Sequence, residues 1–232
     1  MPVIILIRLQ RMIHSKYHKK NTNEDPKTSS VFETMLMLPD DLFWVIIREA
    51  CFDNNNLPLV AGAIENYKFW PHWDSTGTKN SNFVEPDVFI RFQSFDLIIE
   101  AKYGDRSGQY SQQWENEITA YRNEYGYDKL VYFMAVGGNA DKKSENVSLI
   151  EDIVINKCTW LSLLIQVTKI RKEYEGLSMR HSCQSAIIRL LYLIELAFKV
   201  HRVYNIRWFD EIRTEKSLVS INSLQTLKTY FK

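Results

Sequence analysis

Glu85-Pro86-Asp87 and, thirteen residues beyond the aspartate, Glu100-Ala101-Lys102 are the residues of this chain best suited to chemistry. Two carboxylates and an ammonium directed at one point can hold a hard divalent cation and steady charge building on a phosphorus centre. They can do so only if the backbone between them is regular. Val88, Ile90 and Phe92 alternate with Asp87, Phe89 and Arg91, and Leu97, Ile99 and Ala101 alternate with Ile98, Glu100 and Lys102, the period of two that strands require. If the chain reverses at Gln93-Ser94, paired residue numbers sum to 187 and Asp87 faces Glu100. Cβ atoms of such a pair lie about 4.5–5.5 Å apart. Glu100 and Lys102, two residues apart on one strand, share a face, so all three groups are expected on one side of a sheet. A slip of one residue would send the carboxylates to opposite faces. Gln93-Ser94 is not a favoured two-residue turn, so the register rests on the alternation.

Pro86-Asp87 followed by Glu100-x-Lys102 at the end of an apolar strand resembles the PD-(D/E)XK nuclease superfamily. After Lys102 come a short loop, Tyr103 to Gly108, and a helix-like segment carrying Gln109, Gln113-Trp114, Glu117 and Tyr121; the resemblance covers residues 29–140. It implies an α/β fold with a restriction-endonuclease-like core, in the order helix, three strands, helix, strand, and a helical C-terminal portion. It implies Mg²⁺ or Mn²⁺ held by Asp87, Glu100 and the backbone carbonyl of Ala101, with Lys102 positioning water or stabilising developing charge. Gln113 is the expected polar residue of the following helix, and Glu33 a further carboxylate from the first helix. The implied activity is metal-dependent hydrolysis of nucleic acid, with DNA the leading substrate and RNA the alternative, in defence, mobile-element or repair work. A homodimer or a partner subunit is compatible with it. The competing class is an inactive module of the same fold that binds nucleic acid or a partner protein.

Each site residue also has a structural explanation. Asp87 after Pro86 suits a strand-entry turn, and Glu100 or Glu85 could pair with Lys102. Ser30-Val31-Phe32-Glu33 fits a capping box, which explains Glu33 without catalysis. Gln113 and Glu117 share one helix flank, so either could approach the metal. Glu65, on the strand before the hairpin, is a further acidic candidate.

With 232 residues, 45% of them hydrophobic and 13% aromatic, the chain can bury one sizeable core. A net charge of +1 marks no general attraction to polyanions. Basic residues gather locally at Arg8, Arg11, Lys16, Lys19 and Lys20 and again at Lys199, Arg202, Arg207, Arg213 and Lys216, groups that a solvated surface explains as well. Cys51, Cys158 and Cys183 are odd in number and far apart, which fits small core residues in a reducing compartment. His14, His18, His72, His181 and His201 lack zinc-ligand spacing, although His14 and His18 would share a helix face. There is no phosphate loop of the GxxxxGK[ST] kind and no GxSxG elbow. Val3 to Ile7 is apolar but broken by Arg8 and Arg11, too short for a signal core or a membrane span, so the expectation is a cytoplasmic protein without a membrane partner.

The positioning elements follow from pattern. Tyr17 to Ser30 reads as a linker, with a helix starting after Ser30, and Pro39 restarts helical spacing at Leu42, Phe43, Ile46, Ile47 and Ala50. Asn54 to Asn56 marks a turn, Leu59 to Trp70 contains a strand, and Asp74 to Asn82 is a polar loop able to reach substrate. Tyr110, Trp114, Ile118, Tyr121 and Tyr125 form a helical stripe that packs on the sheet. Leu130 to Val136 is a strand buried on both faces and ended by Gly137-Gly138, Ser148 to Ile155 a further strand, and Leu161 to Ile170 and Ser185 to Val200 two helices. Trp208-Phe209 could fold back on the core. This gives an N-terminal extension over 1–28, a nuclease-like core over 29–158 and a helical portion over 159–232 packed on it.

Overall fold

The computed structural model describes residues 25–105, 108–147, 150–177 and 182–205. The expectations for Val3 to Ile7, His14, His18, His181, the N-terminal basic group and Trp208-Phe209, together with Arg207, Arg213 and Lys216, lie outside the described residues.

The hairpin forms with the register that alternation demands. Strand β4 (Val88–Phe92) and strand β5 (Phe95–Ala101) pair antiparallel, with Val88 opposite Ile99 and Arg91 opposite Asp96, and only Gln93 and Ser94 between them. Strand β1 (Ile64–Phe69) lies on the other side of β4. A short pair, β2 (Trp73–Asp74) and β3 (Phe83–Val84), brackets the polar loop. On the far side of β5, β6 (Leu130–Val136) and β8 (Ile150–Cys158) run parallel to it, and β7 (Glu145–Val147) closes that edge antiparallel to β8. The result is an α/β fold on a mixed sheet in the order β1-β4-β5-β6-β8-β7. Ala101, Val136 and Cys158 fall in line, so the carboxyl ends of three parallel strands meet at one edge. In open α/β sheets ligands bind at such edges.

The alternation fixes two cores. Val88, Ile90, Phe92, Leu97, Ile99 and Ala101 face helices α1 (Asp25–Met35), α2 (Asp40–Ala50), α4 (Trp160–Gly176) and α5 (Ser182–Val200). Phe89, Ile98, Phe133 and Ile155 face helix α3 (Ser111–Tyr125) through Trp114, Ile118 and Tyr121. Asp87, Glu100 and Lys102 share the parity of Phe89 and Ile98, and therefore the side of α3.

Several expectations are corrected. Helix α1 already includes Asp25, so Ser30 is mid-helix and the capping box does not exist. Ser30 Oγ instead donates to the Pro26 carbonyl at 2.7 Å and meets His201 Nε2 at 2.7 Å, a local bond that competes with capping. Residues 25–30 are thus helix rather than linker. Tyr110 is not part of the packed stripe: it precedes α3 with extended backbone and is exposed. Cys51 and Cys158 are buried as expected, but Cys183 is exposed. The strand expected from Ser148 runs Ile150–Cys158, and both C-terminal helices are longer than their apolar spacing indicated. Among the described residues no helix is long and apolar enough to cross a membrane.

Candidate active site

The ladder between β4 and β5 stops at Val88 and Ile99, and Asp87 and Glu100 stand just beyond it. Asp87 turns its carboxylate onto the end of β5: Oδ2 accepts from the Ala101 N–H at 2.8 Å. Oδ1 accepts from the indole N–H of Trp70 at 3.1 Å, and the Trp70 N–H donates to the Asp87 carbonyl at 3.1 Å. Trp70 makes these bonds from a left-handed backbone with φ 49, a conformation that a bulky residue keeps only when its surroundings hold it there. Asp87 and Glu100 are both buried.

Glu100 is the hub. Its Oε1 accepts from Lys102 Nζ at 2.5 Å and from Gln113 Nε2 at 2.6 Å. Its carbonyl accepts from Gln109 Nε2 at 3.0 Å, while Gln109 Oε1 takes the indole N–H of Trp114 at 2.7 Å. Gln113 thus reaches the acid cluster as the sequence suggested. Gln109 and Trp70 carry no sequence signal of their own, because their roles depend on where α3 and β1 dock.

Glu117 is the third acid at this point. One turn beyond Gln113, it is 1% exposed. Its pKa is pushed well above the usual carboxylate range, first by burial, then by the charge of Glu100 and a hydrogen bond to it, with Asp87 adding and Lys102 opposing. The protonated acid donates to the Glu100 carboxylate, while Glu117 Oε2 is buried without a hydrogen-bond partner. A buried carboxyl oxygen lacking a donor is costly, and a cation or a proton is what such a group calls for.

The backbone under Lys102 is fixed from three directions. Its N–H donates to the Val136 carbonyl at 2.8 Å, and its carbonyl accepts the indole N–H of Trp160 at 2.6 Å. Asp105 Oδ1 accepts from the Trp160 N–H at 3.0 Å, which anchors the loop after Lys102. Gly137, at φ 68, packs so tightly here that a Cβ would lie 2.6 Å from the Gly104 carbonyl oxygen and 2.8 Å from that of Lys102.

The remaining candidates are placed differently. Glu33 is buried on α1, a helix of the layer across the sheet from α3. Glu65 sits at the far end of β1, where Lys129 Nζ approaches it at 3.7 Å, so the fold keeps it away from the acids. Glu85 meets His72 Nε2 at 2.7 Å.

Among the described residues no group of three or more His, Cys, Asp and Glu side chains is arranged to hold a metal ion. The set expected for Mg²⁺ is smaller, one or two carboxylates with waters and phosphate oxygens. Asp87 and Glu100 fit that requirement as all-oxygen donors, and the unpartnered Oε2 of Glu117 gives the cluster an acceptor to spare.

The chain is 28% identical over 231 residues to an uncharacterized protein of Pasteurella multocida (strain Pm70), an alignment covering 90% of this chain and 87% of that protein. No family model and no solved structure matches.

Proposed function

We propose that this protein is a metal-dependent nuclease of the PD-(D/E)XK type, with a restriction-endonuclease-like core, that hydrolyses phosphodiester bonds, DNA being the leading substrate. The observation that carries the reading is the convergence of Asp87, Glu100 and Lys102 on one face at the carboxyl end of β5, with Lys102 Nζ 2.5 Å from Glu100. The succession of α1 and α2, the strands β1, β4 and β5, helix α3 and strand β6 supports it.

In this reading Asp87 and Glu100, with the carbonyl of Ala101, hold Mg²⁺ or Mn²⁺. When bound, the ion lowers the pKa of an attacking water and neutralises charge on the phosphate. Lys102, a compact ammonium on a fixed backbone, orients that water and stabilises the pentacoordinate phosphorus. Gln113 keeps Glu100 in its rotamer by donating to Oε1. Trp70 does the same for Asp87 through Oδ1.

The test is nicking of supercoiled plasmid, and of a matching RNA, by the purified full chain with Mg²⁺ or Mn²⁺. Asp87→Asn and Lys102→Ala are each expected to lower the rate by about 10²–10³-fold. Variants as active as the wild type would remove the reading. The asparagine is chosen because its amide oxygen can still accept the Ala101 N–H.

A second reading, an inactive module that binds nucleic acid or a partner protein, has one observation in its favour. Both oxygens of Asp87 accept bonds from within the protein, and Lys102 is closed onto Glu100. A protein that binds oligonucleotides but cleaves neither DNA nor RNA with either metal would establish that reading.

A further inference from the structure

A cavity of about 390 Å³ opens beside the acid cluster, walled by the β2–β3 hairpin on one side and the first half of α3 on the other. Gln113 and Glu117, which touch Glu100, form its inner end. Its lining includes Tyr110, which is 67% exposed.

The walls are fixed to each other. Asn123 Nδ2 donates to the carbonyls of Asp74 and Thr76 at 3.1 and 2.8 Å, and Glu124 accepts from the Asp74 N–H at 2.9 Å. Further along, the Lys79 N–H donates to Asn116 Oδ1 at 3.3 Å, and Asn116 Nδ2 donates to Asn80 Oδ1 at 3.2 Å. The loop over 75–82 is therefore held against the helix, and the cleft exists before any ligand arrives.

Its lining is amide and aromatic, with Val84 and the two acids Glu85 and Glu117, and Lys79 reaches it only through the bond from its Nζ to Gln112. Gln112 donates to Asn116 Oδ1 at 3.2 Å and accepts from Lys79 Nζ, leaving one N–H and one lone pair of its amide for a ligand. Such a group can address the hydrogen-bonding edge of a base, and an exposed tyrosine offers a face for stacking. A volume of this size holds about one nucleotide. A duplex, whose major groove alone is about 12 Å wide, cannot enter it. Within a duplex the Watson–Crick edge is occupied, whereas an unpaired base presents it freely.

We propose that this cleft seats an unpaired nucleotide of a single-stranded nucleic acid beside the acid cluster, stacked on Tyr110, with Gln112 at the base edge and Lys79 at the backbone. The chemistry at the neighbouring phosphate rests on the nuclease reading; the binding does not.

The experiment measures fluorescence anisotropy of a labelled single-stranded oligonucleotide and of the duplex of the same sequence, on the full chain without divalent metal. The single strand is expected to bind at least tenfold tighter, and Tyr110→Ala to weaken it about tenfold, the size of one lost stacking contact. Tyr110→Phe keeps the ring and is expected to bind as the wild type, and duplex affinity is expected to be the same in all three proteins. Wild-type affinity of Tyr110→Ala for the single strand, or equal affinity for duplex and single strand, overturns the proposal. The two readings fail separately. Tyr110-dependent binding without cleavage leaves the cleft and removes the nuclease, whereas metal-dependent cutting that is indifferent to Tyr110 and to strandedness leaves the nuclease and removes the cleft.

Discussion

Glu117 of α3 is hydrogen-bonded to Glu100 of β5 across the helix–sheet interface, and the pair holds a proton that an isolated carboxyl would release. Helix and strand are therefore joined at the acid cluster by a titrating contact as well as by the apolar packing of Trp114 and Ile118.

That contact predicts a pH dependence of stability. The folded-state pKa of Glu117 is raised above the ordinary 4.5, so its contribution is complete below that pH and is lost as pH rises through the folded value. His201 works oppositely: burial lowers its pKa from 6.5 to about 4, so its contribution is lost as pH falls below 6.5. Comparison with Glu117→Gln isolates the acid. Between about pH 5 and pH 8 the melting temperature of the wild type is expected to fall relative to that of Glu117→Gln. Parallel melting curves across that range would contradict the shared proton.

Metal binding is checked apart from catalysis. Saturating Mn²⁺, at about a hundred times its dissociation constant, is expected to stabilise the folded protein by about 2.7 kcal/mol. Asp87→Asn and Glu100→Gln are each expected to abolish most of this shift. An unshifted wild-type melting temperature would argue for the inactive module.

The other end of β5 provides a structural control. Asp96 is fully buried and accepts from Arg91 Nε and Nη2 at 3.1 and 2.8 Å, from Tyr121 at 2.9 Å, and pairs with Lys129 at 3.1 Å. Asp96→Ala leaves two cations facing an apolar gap and is expected to cost about 3–5 kcal/mol in urea unfolding. Asp96 lies four residues before Glu100, roughly 13 Å along the strand. Mn²⁺ affinity of the folded fraction should therefore be unchanged, and a loss of affinity would mean that the two carboxylates are coupled.

Gly137→Ala tests the platform under Lys102. The left-handed backbone and the carbonyl oxygens 2.6 and 2.8 Å from a built Cβ leave no room for a methyl group. A destabilisation of about 2 kcal/mol or more is expected, together with loss of any Lys102-dependent activity. A well-folded, fully active alanine variant would show that the Lys102 loop adjusts freely.

Sequence pattern led to the β4–β5 register, because a period of two puts Val88, Ile90, Leu97 and Ile99 on one face and a reversal at Gln93-Ser94 then fixes the pairing. It led equally to α3 and to β6, whose bounds the apolar spacing marked closely. It misjudged Ser30, whose side chain suits a cap but also bonds back within a helix, a choice made by what lies upstream. It placed Tyr110 in the core stripe, because spacing does not reveal where a helix begins.

The local chain thus determined that Asp87, Glu100 and Lys102 share one face, since neighbouring strands leave side chains no other choice. Tertiary structure decided what surrounds them. The rotation of α3, set by Trp114, Ile118 and Tyr121 seating on Phe89, Ile98 and Phe133, brings Gln113 and Glu117 inward. The docking of β1 gives Asp87 its indole donor and carries Glu65 away. Such contacts join residues far apart in the chain, and their geometry follows from how whole layers pack, which spacing along one segment does not encode.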